Sequence, residues 1–210
     1  IARFCRPLIA DSVVDPEVTA AWEDTSHLLE GLGHQVVDIE VPLSPEVVGV
    51  FETAWAVLTC LHPAPPQAEP WMRPLTRWLI ERGRAVSAPE FGFALAQLRQ
   101  HAARALAELA SYDAVLTPTL AVPPLLVGAL RNDEDPAADF EAQKAFTPWT
   151  AAWNLTGMPA ASLPLHHTAS GLPIGMMLAG RPAEDARLYA LCAQVEAARP
   201  WAERRPPAWV

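Results

Sequence analysis

The sequence predicts an α/β fold, a mixed sheet covered by helices, because two segments each combine strands with a helix. The first is a strand, a helix and a strand between residues 1 and 41. Two parallel strands joined in this way form a right-handed crossover. The second consists of two short apolar strands joined by a turn, followed by a helix, after residue 159. With no repeat or domain-scale linker between them, we expect one α/β unit over residues 1–210.

The first half of the chain carries several helix-start signals. Residues 1–5 have a strand pattern, and Asp15 followed by Pro16 predicts a capped helix that ends at Gly31 and Gly33. Residues 34–41 then alternate as a strand does. Three further helices are predicted, one from Ser44-Pro45-Glu46, one around 74–82, and one from the capping box Ser87-Ala88-Pro89-Glu90 to about Tyr112.

The second half begins with a buried strand at 113–117, and residues 121–144 then read as a long polar connector. Thr147 is predicted to cap a helix with Pro148 at its first position, because that position has no use for the missing N–H. Gly157 ends this helix. Strands follow at 160–165 and 174–179, with a turn at Ser170-Gly171, and Pro182 is predicted to open the last helix.

Composition narrows the class of protein. The net charge is −9 and the basic residues are scattered singly, which argues against a nucleic-acid partner. The apolar windows are too short to span a membrane. Three separated cysteines predict buried free thiols in a reducing compartment, so we expect a cytoplasmic protein. Since the first residue is Ile1 and no secretory signal follows, we expect the native start upstream.

Four motifs in order closely resemble the C-terminal part of the amidase signature family. They are Asp-Pro-Glu-Val at 15–18 with Leu-Gly-His at 32–34, Tyr-Asp-Ala-Val-Leu-Thr-Pro-Thr at 112–119, Asn-Leu-Thr-Gly-Met-Pro-Ala at 154–160, and Gly-Leu-Pro-Ile-Gly at 171–175. The resemblance spans nearly the whole chain. It implies the C-terminal portion of the amidase signature fold, a small-molecule amide as substrate and no cofactor.

Members of that family use a Ser–cis-Ser–Lys triad in a Gly/Ser-rich N-terminal half, and no such run occurs in these 210 residues. The single lysine, Lys144, lies in a polar stretch, and no serine in the sequence is nearer to it than Ser162. A lysine base must be desolvated or have neighbours that lower its pKa. We therefore expect a solvated Lys144, no catalytic residue in this chain, and a missing N-terminal half or separate chain that carries the triad.

The resemblance places a substrate pocket near the helix before Gly157. One aromatic stripe of that helix would consist of Phe146, Trp149 and Trp153. Such a stripe either lines a substrate pocket or packs in the core. We predict the substrate-binding set Phe146, Trp149, Thr150, Trp153 and Asn154. Trp55 is a weaker candidate for the same role. Asn154 could bond the backbone of the active-site loop in the other half, but the sequence favours Asn154 closing its own turn.

Glutamine-using members hold the substrate ammonium with a carboxylate where this chain has Thr147. An ammonium buried there would lack its partner, so the sequence favours an apolar amide.

Metal binding and a different catalytic triad are not favoured by the remaining residues. His166 and His167 are adjacent on a strand and point to opposite faces, with no further ligand at metal-site spacing. His34, His62 and His101 are isolated, and no serine lies in a nucleophile-elbow pattern.

Two classes of function stay open at this point. The chain is either part of an amidase that shapes the substrate pocket, or a catalytically inactive scaffold or partner-docking domain derived from one, and either could form a homodimer. The first requires a serine nucleophile, a lysine base and oxyanion stabilisation from residues upstream of Ile1. The second requires an exposed apolar face.

Overall fold

A computed structural model describes residues 1–61 and 65–204 and contains a five-stranded mixed sheet. The strand order is β2-β1-β3-β5-β4. Strand β1 pairs in parallel with β2 and β3, whereas β5 pairs antiparallel with both β3 and β4. The strands are β1 (Ala2–Arg3), β2 (Val37–Asp38), β3 (Ala114–Pro118), β4 (Ala160–His167) and β5 (Pro173–Gly180). The predicted α/β fold with a mixed sheet is confirmed.

Seven α-helices and a short 3-10 helix at Pro66–Trp71 occur in the described ranges. The α-helices are α1 (Pro16–Gly31), α2 (Val47–Thr59), α3 (Pro74–Ala85), α4 (Ala88–Leu109), α5 (Pro136–Phe146), α6 (Thr150–Thr156) and α7 (Asp185–Ala198). The first four begin and end close to their predicted limits. His62, one of the isolated histidines, lies outside the described residues.

Helices cover both faces of the sheet. On one face, Val115 and Met177 join a core with side chains of α2, α4 and α6. On the other, Leu116 and Met176 pack against α1 and α7. Neighbouring residues of a strand contribute to opposite cores because successive side chains of a strand point to opposite faces. The central strands are therefore apolar at nearly every position.

The helix caps predicted at Asp15 and at Ser87 are confirmed. The Asp15 carboxylate accepts a hydrogen bond from the Glu17 amide at 2.7 Å, with Pro16 at the first position of α1. At the start of α4, the Ser87 and Glu90 side chains and amides bond reciprocally as a capping box. Such caps satisfy amide groups that have no partner within the helix. These local signals therefore fix where the two longest helices begin.

Outside residues 146–157, two predicted helix boundaries are wrong. Residues 121–144 are not a connector throughout, since α5 begins at Pro136, with the Asp135 carboxylate accepting from the Ala138 amide at 3.0 Å. The last helix begins at Asp185, because Ala183 has a left-handed φ of 61° that no α-helix contains. The segment from Pro182 therefore forms a turn before the helix.

Helices α2 and α3 approach closely at a glycine. A Cβ atom added at Gly83 would lie 2.2 Å from the carbonyl oxygen of Ala56 and 2.6 Å from Sγ of Cys60. Both distances are far below van der Waals contact, so the backbones can be this close only where α3 has no side chain. By contrast, Gly92 of α4 is exposed and an added Cβ would meet nothing within 4 Å.

We expect Gly83→Ala to lower the free energy of unfolding by about 1–3 kcal/mol, because the added methyl group forces α2 and α3 apart. Gly92→Ala is the control, and it should be neutral or stabilise by up to about 1 kcal/mol through helix propensity. Chemical denaturation of the two variants and the parent chain measures both effects. Equal stability of the two variants would contradict the close packing at Gly83.

Candidate functional site

Three loops meet at the carboxyl edge of the parallel strands. The Ile9 amide donates to the carbonyl of Pro148 at 3.3 Å, and the Ala121 amide donates to the carbonyl of Phe146 at 3.1 Å. The loop after β1, the loop after β3 and the segment between α5 and α6 are thus joined by backbone hydrogen bonds. In α/β folds this edge is the usual place for a ligand site.

Trp149 connects the loops at this sheet edge to the hydrophobic core. Its side chain is completely buried, and its indole N–H donates to the Arg6 carbonyl at 3.1 Å. Trp153 is 4% exposed and lies 6.4 Å from the Phe4 ring, centroid to centroid. Both tryptophans pack in the core beneath the sheet edge, so any part they have in substrate binding is to support the wall of a pocket.

The predicted aromatic stripe does not lie on a single helix. Phe146 ends α5, Trp149 caps α6, and Thr147 ends the preceding helix instead of capping the next. Proline disfavours the α conformation in the residue before it, and Thr147 accordingly has φ −120° and ψ 53°. The break therefore comes before Pro148, and Phe146 points away from the two buried tryptophans into a different environment.

Phe146 lines a cavity of about 500 Å³. Its other walls are Arg73, Gln143, Thr147 and the loop of residues 125–131, which includes the exposed apolar side chains Leu126 and Val127. No carboxylate lines this cavity. The Thr147 hydroxyl donates to the Gln143 carbonyl at 3.0 Å and so is committed within α5.

Asp139, a residue that sequence reasoning missed, holds the wall of this cavity in place. Its side chain is completely buried and accepts hydrogen bonds from Arg73 Nη2 at 2.7 Å and from the Asn132 amide at 3.1 Å. A buried carboxylate needs such donors to offset its lost hydration. The sequence signal that could have located it is Asp135-Pro136, the same cap pattern that identified α1 at Asp15-Pro16.

Asn154 and Thr150 lie elsewhere on α6. The Thr150 hydroxyl donates to the Thr147 carbonyl at 3.2 Å and closes the first turn of the helix. Asn154 is exposed and, with Trp55, lines a separate cavity of about 700 Å³. The five predicted substrate-binding residues are therefore spread over two cavities and the core between the sheet and α6.

The sequence predicted a solvated Lys144. This prediction is wrong, because the residue is only 7% exposed. Its ammonium group forms ion pairs with Glu52 and, at 2.7 Å, with Glu141, and lies 5.2 Å from the Phe140 ring centre. Burial lowers the pKa of Lys144, but the hydrogen bonds to Glu141 and Glu52 outweigh it, so the pKa is raised. The amine is held protonated, which is the opposite of what a catalytic base requires.

Two further potential nucleophiles, Cys5 and Ser162, lack an activating partner. Burial raises the pKa of the Cys5 thiol to about 11, which leaves it protonated at neutral pH. The Ser162 and Thr119 hydroxyl oxygens lie 2.7 Å apart and bond each other. This hydroxyl pair contains no base that could accept a proton.

His166 and His167 point to different partners, as predicted from their strand positions. His166 Nε2 lies 2.8 Å from the Thr25 hydroxyl and 3.2 Å from Arg199 Nη1, whereas His167 Nδ1 lies 2.9 Å from Arg204 Nη1. Burial, followed by the charge of Arg199, lowers the pKa of His166. Across the described ranges, no three His, Cys, Asp or Glu side chains are grouped as metal ligands would be. Within the same ranges, no helix is both long and apolar enough to cross a bilayer.

A family model described as Amidase matches residues 8–189, which is most of the chain. The chain therefore belongs to the amidase family, as its four motifs predicted.

Relatives of known sequence include AmiC of Mycobacterium tuberculosis, a provisionally assigned amidase. It is 31% identical over 219 residues, an alignment that covers 99% of this chain and 45% of AmiC. AmiB2 from the same species, also assigned provisionally, is 43% identical over 94 residues, covering 45% of this chain and 20% of AmiB2. The chain thus spans less than half the length of these relatives.

Solved structures share the fold. The 6-aminohexanoate cyclic dimer hydrolase superimposes with a TM-score of 0.82 at 21% identity, over 98% of this chain and 46% of the hydrolase. A bacterial aryl acylamidase of the amidase signature family gives a TM-score of 0.67 at 20% identity, over 98% and 46% of the two chains. At 20% and 21% sequence identity, these similarities show a shared fold.

We expect Asp139→Ala to lower the free energy of unfolding by about 2 kcal/mol or more, because it leaves the Asn132 amide and Arg73 without their buried acceptor. Asp133→Ala is the matched control. That carboxylate also pairs with Arg73, at 3.4 Å, but is 36% exposed, and its loss should cost less than about 1 kcal/mol. Urea unfolding separates the two, and a similar small effect of both would exclude an anchoring role for Asp139.

The lowered pKa of His166 predicts a loss of stability in acid. Folded His166 binds a proton less readily than an unfolded histidine, so stability is complete above the ordinary value of 6.5 and falls as the pH drops below it. His166→Gln should therefore lose less stability between pH 8 and pH 5 than the parent chain does. The difference between the two pH profiles isolates this residue from the titrating carboxylates, and identical profiles would show that His166 makes no contribution.

Proposed function

We propose that this chain forms the substrate-pocket part of an amidase, with the nucleophile and base supplied by residues outside these 210. The reaction adds water across a carboxylic amide C–N bond and gives a carboxylic acid and an amine or ammonia. Support comes first from the family match over residues 8–189 and from AmiC, whose alignment includes 99% of this chain.

The chemistry of the described side chains supports an external source of the catalytic groups. The only lysine in the sequence is held protonated by Glu52 and Glu141 and so cannot act as a base. The Ser162 hydroxyl is bonded to Thr119 and has no basic neighbour to accept its proton. In the family, the lysine base takes the proton of the nucleophilic serine through the bridging serine, the serine oxygen attacks the amide carbon, the relayed proton goes to the leaving amine, and water then releases the acid. Neither described group can begin that sequence.

The Phe146 cavity is the best candidate for the amide-binding site, and this observation carries the proposed substrate class. It lies beside the joined loops at the carboxyl edge of the sheet, and its walls combine an aromatic ring with Leu126 and Val127. Its charged residues, Arg73 and Arg131, are paired with Asp139 and Asp133. A substrate ammonium group would meet no free carboxylate among the described lining residues, so the cavity supports an amide whose acyl or amine portion is apolar and uncharged.

A chimera tests this proposal directly. We expect AmiC in which this chain replaces the matching 45% to hydrolyse an aryl amide, because the missing catalytic groups come from the rest of AmiC. In that chimera, Phe146→Ala should raise KM for the aryl amide by about tenfold, since it removes an apolar wall of the pocket. Trp71→Ala, at a side chain that is 89% exposed, is the control and should leave KM unchanged.

The same samples show whether the nucleophile is external. A fluorophosphonate probe should label the chimera and leave the 210-residue chain unlabelled in intact-mass measurements. A chimera that folds, as judged by circular dichroism, but neither labels nor hydrolyses amides would favour an inactive scaffold. Labelling of the 210-residue chain itself would refute the external nucleophile.

A further inference from the structure

An apolar groove lies between helices α2, α4 and α6, separate from the Phe146 cavity. Its volume is about 700 Å³, within the range of small-molecule sites. On α4, Leu95, Leu98, Ala102 and Leu106 repeat every three or four residues and so share the face that lines it. Phe51 and Trp55 of α2 form the opposite wall, at the same spacing. The groove can therefore enclose a hydrocarbon chain or ring.

One cationic side chain, Arg99, stands at this groove. Several arginines of this acidic chain are paired with carboxylates, for example Arg84 with Glu69 at 2.8 Å and Arg187 with Asp113 at 3.2 Å. In the part of the chain that the structure describes, no carboxylate lies within ion-pair distance of Arg99. The guanidinium is exposed and keeps its donors available.

Asn154 adds a second polar group to the same groove. It is exposed, it belongs to α6, and its amide can donate to an anionic oxygen beside Arg99. The remaining polar lining residue, Thr59, donates its hydroxyl to the Trp55 carbonyl at 2.8 Å and is satisfied within α2. This apolar groove, with the Arg99 guanidinium and the Asn154 amide as its available polar groups, is complementary to a ligand that has an apolar body and one negative end.

We infer that this groove binds an amphipathic monocarboxylate, with its hydrocarbon portion between α2 and α4 and its carboxylate on Arg99. The charge complementarity selects an anion over an alcohol or a cation, and the aliphatic and aromatic walls select against short acids. This site is independent of the proposed hydrolysis, since it requires no turnover and involves none of the catalytic groups.

Octanoate is the probe, titrated into the 210-residue chain by calorimetry and by tryptophan fluorescence. Octanoate should bind saturably at one site, and affinity should rise by about threefold for each methylene added from butanoate upwards. Octanol and octyltrimethylammonium should bind at least tenfold more weakly, because neither satisfies Arg99.

Arg99→Gln should weaken octanoate binding about tenfold and leave octanol unaffected. Arg104→Gln is the matched control, because Arg104 is exposed on the same helix but does not line the groove. Ala103→Trp places a large ring at an exposed lining position and should abolish binding of both ligands. Comparable affinity of octanol and octanoate, or full retention of binding by Arg99→Gln or Ala103→Trp, would overturn the inference.

Polypeptide is the competing occupant of an open apolar groove. Titration of octanoate into the AmiC chimera distinguishes a carboxylate ligand from a polypeptide occupant, because a segment of AmiC bound between α2 and α4 would exclude the acid. Octanoate binding that is kept in the chimera supports the ligand site. Binding by the 210-residue chain that is lost in the folded chimera would show that the groove is a packing surface, and it would do so whether or not the chimera hydrolyses amides.

Discussion

The indole N–H of Trp149 and the carbonyl of Arg6 form the contact on which the functional end of this molecule depends. It joins the segment before α6, where the Trp149 side chain is completely buried, to the loop after β1. Inside the core a donor or acceptor without a partner costs more than a hydrogen bond gains at the surface. The two segments therefore have one favourable arrangement, and the Ile9–Pro148 backbone bond extends it along the loop.

The position of the helix break next to that contact decides which side chains face which cavity. Pro148 disfavours helical geometry at Thr147, so α5 ends before the buried tryptophan and α6 begins after it. Continuous helix would have placed Phe146, Trp149 and Trp153 on one stripe. Instead Phe146 remains with the loop of residues 125–131, while Asn154 faces the groove formed with α2 and α4.

Sequence patterns predicted those features that depend on short-range chemistry. Proline after a capping residue located α1, and Ser87 with Glu90 located α4, because each motif satisfies its own backbone groups. The environment of Lys144 could not be predicted in this way. Its partner Glu52 is 92 positions away in the sequence, and only the packing of α5 against the α2 region brings the two charges together. The prediction of one aromatic stripe on a single helix was wrong because Phe146 lies on α5 and Trp153 on α6.

Charge placement links the two cavities to the chemistry of the family. The chain is strongly acidic, yet Arg73 and Arg131 line one cavity and Arg99 the other, with no carboxylate among the lining residues of either. Hydrolysis of an amide turns a neutral substrate into a carboxylate, whose negative end a cationic wall attracts. Arg73 is paired with Asp139 and Arg131 with Asp133, so both charges are largely neutralised at the first cavity, whereas Arg99 has no carboxylate partner in the described part of the chain. The first cavity is thus suited to a neutral amide and the second to an anion. A carboxylate should therefore bind in the groove at Arg99 in preference to the Phe146 cavity.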